Sequence, residues 1–146
     1  MATTPCTVCA LAAGERTAEI VLDEPGVLAF LDVSPLFVGH VLVVPRAHHE
    51  TLPDLPVALV GELFGAVQRV AAALPAAMEG DGSFVAINNV VSQSVPHLHV
   101  HVVPRRRKDG LRGFFWPRTT YGSPAAMADV AETIRRALRK IDDSTR

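Results

Sequence analysis

Nine residues, Pro96-His97-Leu98-His99-Val100-His101-Val102-Val103-Pro104, limit what this chain can fold into more than any other stretch. Three histidines stand at alternate positions, and the residues between and after them are apolar and mostly β-branched. That alternation predicts a half-buried strand. Residues two apart in a strand share a face, about 7 Å from one another at roughly 3.3 Å rise per residue. His97, His99 and His101 are thus expected in a row on one face, with Leu98, Val100 and Val102 turned to the core. A row of imidazoles risks crowded positive charge, which costs stability unless a ligand or a metal uses it. The spacing points to function.

The rest of the composition sets bounds. At 146 residues the chain is read as one domain, 1–146, long enough to bury most of its apolar surface. With 49% hydrophobic and 20% charged residues it can form a core. A net charge of −1 gives no global electrostatic reason to expect nucleic acid or membrane as partner. No apolar run approaches the roughly 18 residues of a membrane span. The start, Met1 to Cys6, lacks a basic stretch followed by an apolar one, so a cytoplasmic location is expected. Cys6 and Cys9 are too few for a disulfide framework. Their C-x-x-C spacing suggests a redox motif or half a zinc site. The short stretch Ala10 to Gly14 allows only a turn or two of helix, which favours the zinc half-site over a redox motif. Two thiols without a role remain the other reading until further ligands are found.

In chain order, Glu19–Leu22 and Val27–Leu31 flank a Pro25-Gly26 turn and predict a hairpin. His40–Pro45 is a third strand whose unbroken apolar run implies burial on both faces, under a helix on one side and a partner on the other. After the polar Arg46–Glu50, a helix is expected from Asp54 as N-cap, with Val60, Leu63, Phe64, Val67, Val70, Ala71 and Leu74 as its stripe. Pro75 is expected to break or kink it. Ser83–Asn88 is a fourth strand, followed by a short link to the histidines. Arg105–Lys108 is a basic run that is either a solvated face or an attraction for phosphate. Phe114-Phe115-Trp116 is expected at an interface or a site edge. Ser123-Pro124 opens a last helix, about 124–141, with Met127, Val130, Ile134, Leu138 and Ile141 as its stripe. The pattern implies an α+β fold with about five mostly antiparallel strands and two main helices.

His97 to Val103 is similar to the histidine-triad (HIT) motif, His-φ-His-φ-His-φ-φ, at every position. Gln93-Ser94-Val95, Ala29 to Pro35 and Gly39 to His48 also resemble the family's segments, in the family's order. The resemblance implies a HIT-like fold, a homodimer, and hydrolysis or transfer of nucleoside monophosphates from a purine nucleotide or nucleotide conjugate. By motif position it implies His99 as the nucleophile, assisted by His97, His101 and His40. It assigns Gln93, Ser94 and Asn88 (or Asn89) to phosphate or leaving group, Asp32 to the ribose hydroxyls, and Phe30 to the base pocket. The third His favours the hydrolase branches over hexose-phosphate nucleotidyltransferases. The resemblance also implies a structural zinc held by Cys6, Cys9, His48 and His97, with His49 as the alternative to His48, and no metal in the chemistry.

The chain departs from the family pattern in two places. Ser92 stands where the family has Gly before the Gln, and the link from Asn88 to Gln93 is short. These departures keep a second function class in view, a nucleotide-binding regulatory protein with vestigial catalysis. A third class is a metal-binding module in which the histidine row itself is the site.

Overall fold

The structure, a computed structural model, describes residues 6–111 and 119–144. Two compact units divide the chain, 1–109 and 110–146. In the first, helix α1 (Thr7–Ala12) precedes the hairpin β1 (Ile20–Asp23) and β2 (Val27–Leu31), then β3 (Val41–Pro45). Helix α2 (Val57–Ala77) crosses to β4 (Gly82–Ala86), and β5 (Val100–Arg105) inserts between β3 and β4. Glu24 N–H donates to Val27 O across the Pro25-Gly26 turn (3.0 Å), as turn chemistry predicts. The five strands lie in the order β1-β2-β3-β5-β4, and all four pairings are antiparallel. The expected α+β fold is present.

Strand alternation sends the core to both sides of this sheet. Val27, Ala29, Val41, Val43, Val100 and Val102 face α2, where Leu63, Ala66, Val67, Val70 and Leu74 meet them with Leu98. By length and composition α2 could cross a membrane, though no uninterrupted apolar run suggested it. Its buried stripe on the sheet accounts for that apolarity. Leu28, Phe30 and Val44 face the other way, against Val8 and Leu11 of α1. The second face of β3 is therefore covered in part by the chain's own first helix.

Several boundaries differ from those expected. Asp54 does not cap α2. It ends a 3-10 turn, Leu52–Asp54, whose Thr51 N–H donates to the Asp54 carboxylate (3.0 Å). The residue before α2 is Pro56, which cannot cap through a side chain. Pro75 does not break the helix, which runs on to Ala77. β5 begins at Val100, so His97 and His99 precede the strand. Continuing the β3–β5 register from Val43↔Val100 sets Pro45 opposite Leu98, and proline has no N–H for the ladder. Leu98 N–H bonds to His49 O instead (2.6 Å).

The second unit holds α3 (Pro124–Ser144), with Ala126 N–H donating to Ser123 Oγ (3.1 Å) as an N-cap bond. Phe114, Phe115 and Trp116 lie outside the described residues.

Candidate active site and metal centre

The α1 side of the sheet is hollowed by a cavity of about 330 Å³. Phe30, Asp32 and Leu42 line it from β2, the turn after it, and β3, His99 from just before β5, and His101 from β5 itself. Ser94 and Val95 close it from the triad loop, and Val8 and Leu11 from α1. A volume of a few hundred Å³ with mixed apolar and polar walls suits a nucleotide-sized molecule.

The histidines at its floor have assigned protons. A carbonyl oxygen only accepts, so the 2.7 Å contact between His99 Nδ1 and His97 O makes Nδ1 the protonated nitrogen. Neutral His99 then carries its lone pair on Nε2. At His40, Leu36 N–H donates to Nδ1 (3.1 Å), so Nε2 carries the proton and donates to His101 Nδ1 (3.0 Å). His101 is left with Nε2–H as a donor. Burial, then the neighbouring His99 and His40, lowers the His101 pKa to about 4. Burial also lowers that of His40, against the pull of the Asp32 carboxylate 3.7 Å away. Because His40 Nδ1 accepts Leu36 N–H and carries no proton, its contact with Asp32 is not an ion pair. Asp32 Oδ1 accepts Ser34 N–H (2.8 Å), which steadies it at the cavity wall.

His97 faces a different set of groups. Its ring is fully buried, and Nε2–H donates to Pro45 O (2.8 Å), leaving a lone pair on Nδ1. That atom lies 3.4 Å from Cys6 Sγ and 3.7 Å from Cys9 Sγ. His48 Nδ1 lies 3.3 Å from Cys9 Sγ. The four ligand atoms are within 4.8 Å of one another. Tetrahedral zinc with Zn–S of about 2.3 Å and Zn–N of about 2.05 Å puts sulfur and nitrogen ligands about 3.6 Å apart. The donor set and its spacing fit zinc. Burial and the adjacent Cys6 push the Cys9 pKa up, so a cation is what would hold that thiol ionised. Of the two candidates, the His48 ring joins the cluster and the His49 ring does not.

Other predicted residues stand apart from the cavity. Gln93 is turned into its own loop, with Nε2–H donating to Glu50 O (2.6 Å) and Oε1 accepting Val90 N–H (2.8 Å). Asn88 is exposed and is not among the lining residues, and Asn89 Oδ1 accepts Leu52 N–H (2.9 Å). Ser92 has φ 61° and Val90 φ 68°, the left-handed region that glycine occupies without cost. In the basic run, Arg105 pairs with Asp109, and Arg106 Nη2–H donates to Met78 O (2.6 Å). Sequence reasoning did not single out Val8 and Leu11. Their three-residue spacing, interleaved with the two cysteines, was the available signal.

Comparison with known proteins agrees with this geometry. Residues 13–108 match the HIT domain family. An uncharacterised HIT-like protein of Mycobacterium tuberculosis is 38% identical over 109 residues, 73% of this chain and 76% of its own. The adenosine 5′-monophosphoramidase of Candida albicans is 25% identical over 144 residues, 94% of each chain. An asymmetrical bis(5′-nucleosyl)-tetraphosphatase of Schizosaccharomyces pombe is 35% identical over 83 residues, 56% of this chain and 46% of its own. Among solved structures, a HIT family protein of Bacillus subtilis superposes with a TM-score of 0.83 at 32% identity, covering 91% of this chain and 96% of that one. A zinc-bound histidine triad protein of Mycobacterium smegmatis does so with a TM-score of 0.70 at 32% identity, covering 88% and 97%. With its triad, its sheet order and the match over residues 13–108 taken together, the chain belongs to the HIT family.

Proposed function

We propose that the protein is a nucleotide hydrolase that cleaves at the α-phosphate of a nucleoside 5′-phosphoramidate or a dinucleoside polyphosphate. The observation that carries this reading is the His99 Nδ1–H to His97 O bond of 2.7 Å. It points a neutral nitrogen lone pair into a cavity lined by Phe30, Asp32 and Ser94. Relatives named as a phosphoramidase and a tetraphosphatase support the two substrate classes.

In this reading His99 Nε2 attacks the α-phosphorus. A P–Nε2 bond forms while the P–N or P–O bond to the leaving group breaks, and the leaving group takes the electron pair. The imidazolium that results keeps its Nδ1–H bond to His97 O, which disperses the charge. His101 Nε2–H donates to a non-bridging oxygen or to the departing atom. Water then attacks phosphorus, the P–Nε2 bond returns its pair to His99, and the nucleoside monophosphate leaves. The proton that water loses balances the one that the leaving group gains. Asp32 binds the ribose hydroxyls and Phe30 the base. Gln93 and Asn88 are proposed to reach the phosphate or leaving group, Gln93 after its amide leaves Glu50 O and Val90 N–H.

Zinc, where Cys6, Cys9, His48 and His97 hold it, supplies a structural clamp and takes no part in the chemistry. We propose also that the chain acts as a homodimer, which the exposed apolar face of α3 supports.

The deciding experiment compares wild type with His99→Ala on adenosine and guanosine 5′-phosphoramidates and on diadenosine tri- and tetraphosphates. Turnover of one class should fall by about 10³-fold or more in the variant, as nucleophile removal does elsewhere. Substantial residual turnover would remove the mechanism. Nucleotide binding with no wild-type turnover would favour a regulatory binding protein, the reading that the inward-turned Gln93 amide supports.

A further inference from the structure

Helix α1 serves two sites at once. Cys6 at its N-cap and Cys9 one turn on face His97 and His48, while Val8 and Leu11 line the cavity. Val8 and Leu11 are 6% and 8% exposed and pack on Leu28, Phe30 and Val44. They give the cavity its apolar end, together with Phe30. The polar end is formed by Asp32, His99 and His101.

A helix of six residues has no stability of its own, since isolated helices below about 12 residues are marginal in water. No side chain caps its N-terminus, and its first turn carries no acid. Its ties to the sheet are the packing of Val8 and Leu11, the Arg46 Nη1–H bond to Ala12 O (3.2 Å), and the two thiols. The catalytic histidines are held otherwise. His97 is fixed by Pro45 O, His99 by His97 O, and His101 by His40, and none of these bonds involves α1. His97 meets the thiols through Nδ1, but Pro45 O on its Nε2–H, Val95 O on its N–H (2.8 Å) and the Leu98 N–H bond to His49 O hold it without them. Losing the thiol ties would therefore loosen the wall and keep the His97 carbonyl under His99.

We infer that, because α1 carries both the thiols and part of the cavity wall, filling the Cys6–Cys9–His48–His97 cluster sets how tightly a nucleotide is held, not how fast its α-phosphate is attacked. The inference rests on the nucleotide reading of the cavity given above. Val8 and Leu11 are the link, since they share a six-residue helix with Cys9 and line the cavity. The metal acts on substrate affinity through them.

The test uses the full chain, thiols reduced, loaded with one zinc per chain or stripped by a chelator, with adenosine 5′-monophosphate as the probe. Titration calorimetry reads Kd, and hydrogen exchange reads the α1 amides. Stripping should speed exchange in α1 and raise Kd about tenfold, the scale of losing one well-buried aliphatic contact. KM for turnover should rise in step while kcat stays within about twofold. Leu11→Ala with zinc still bound should raise Kd by a similar factor, and that arm does not depend on the stripped chain remaining folded. Equal affinity with and without metal, or a fall in kcat at constant Kd, would overturn the inference. A chain that takes up no zinc would overturn it outright. Failure of the probe to bind the zinc-loaded chain is a different result, and it would sink the nucleotide reading itself.

Discussion

Two backbone carbonyls, Pro45 O and His97 O, fix the protonation pattern of His97 and His99, because each can only accept a hydrogen bond. His40 and His101 are fixed in series from Leu36 N–H. Burial keeps both of these neutral, with the His101 pKa lowered to about 4 and that of His40 below its usual value. The unfolded chain therefore binds more protons than the folded one between about pH 6.5 and pH 4, so stability rises with pH across that window. It is fully present above the unfolded value and is lost as pH falls toward 4. For half-buried groups screened by solvent the loss is on the order of 1 kcal/mol. Urea melts of the zinc-loaded protein and of a His101→Asn variant, at pH 7.0 and pH 4.5, measure it. A pH dependence unchanged by the substitution would show that His101 is not its source. The left-handed pair in the triad loop gives a second prediction. Ser92→Gly should raise stability by about 0.5–1 kcal/mol, and Val90→Gly by at least as much, since a β-branched residue tolerates φ 68° least. Denaturant midpoints read both, and a loss of stability in either would refute the strain. The Ser92 position was legible as one that wants glycine. The conformation at Val90 was not, because nothing in its neighbours' chemistry demands it.

Periodicity made most elements legible. The apolar run at Val27 to Phe30 and the stripe from Leu63 to Leu74 recur in the core. What the sequence hid were effects of partners remote along the chain. The triad looks like one continuous strand, yet Pro45 across the sheet ends the ladder at Val100. That break turns His97 to the thiols while His99 and His101 stay together, ring centroids 4.9 Å apart. Gln93 reads as a ligand contact from its motif, but carbonyl and amide groups of its own loop and of Glu50 satisfy it first. Pro75 shows local propensity losing to packing. It sits in the last turn of α2, next to the buried Leu74, so its missing N–H costs the helix one bond near its end. Pro75→Ala restores a donor for Ala71 O and should stabilise the protein by about 1–2 kcal/mol. A destabilised variant in guanidinium melts would mean that the proline ring is itself a packing element.

At the scale of the whole molecule, α3 poses the remaining question. Met127, Val130, Ile134, Leu138 and Ile141 recur at three and four spacing, and each is more than two-fifths exposed. Glu132 pairs with Arg135 and Arg139, so the charged groups answer one another along the helix while the apolar stripe faces water. Five exposed aliphatic side chains on one helix face form a patch of the kind that marks an interaction surface. Burying each contributes roughly 1.5–3 kcal/mol, enough together to hold two chains at micromolar concentration once the cost of association is met. A second copy of the chain is the partner proposed above, and sedimentation measures it directly. Wild type should run at twice the mass of 15.6 kDa, and Ile134→Glu with Leu138→Glu should halve it. Because the second unit carries neither the triad nor the thiols, the double variant should take up zinc to the same extent as wild type. A wild-type monomer at tens of micromolar would refute the dimer. A double variant that stays dimeric would place the contact elsewhere than on α3.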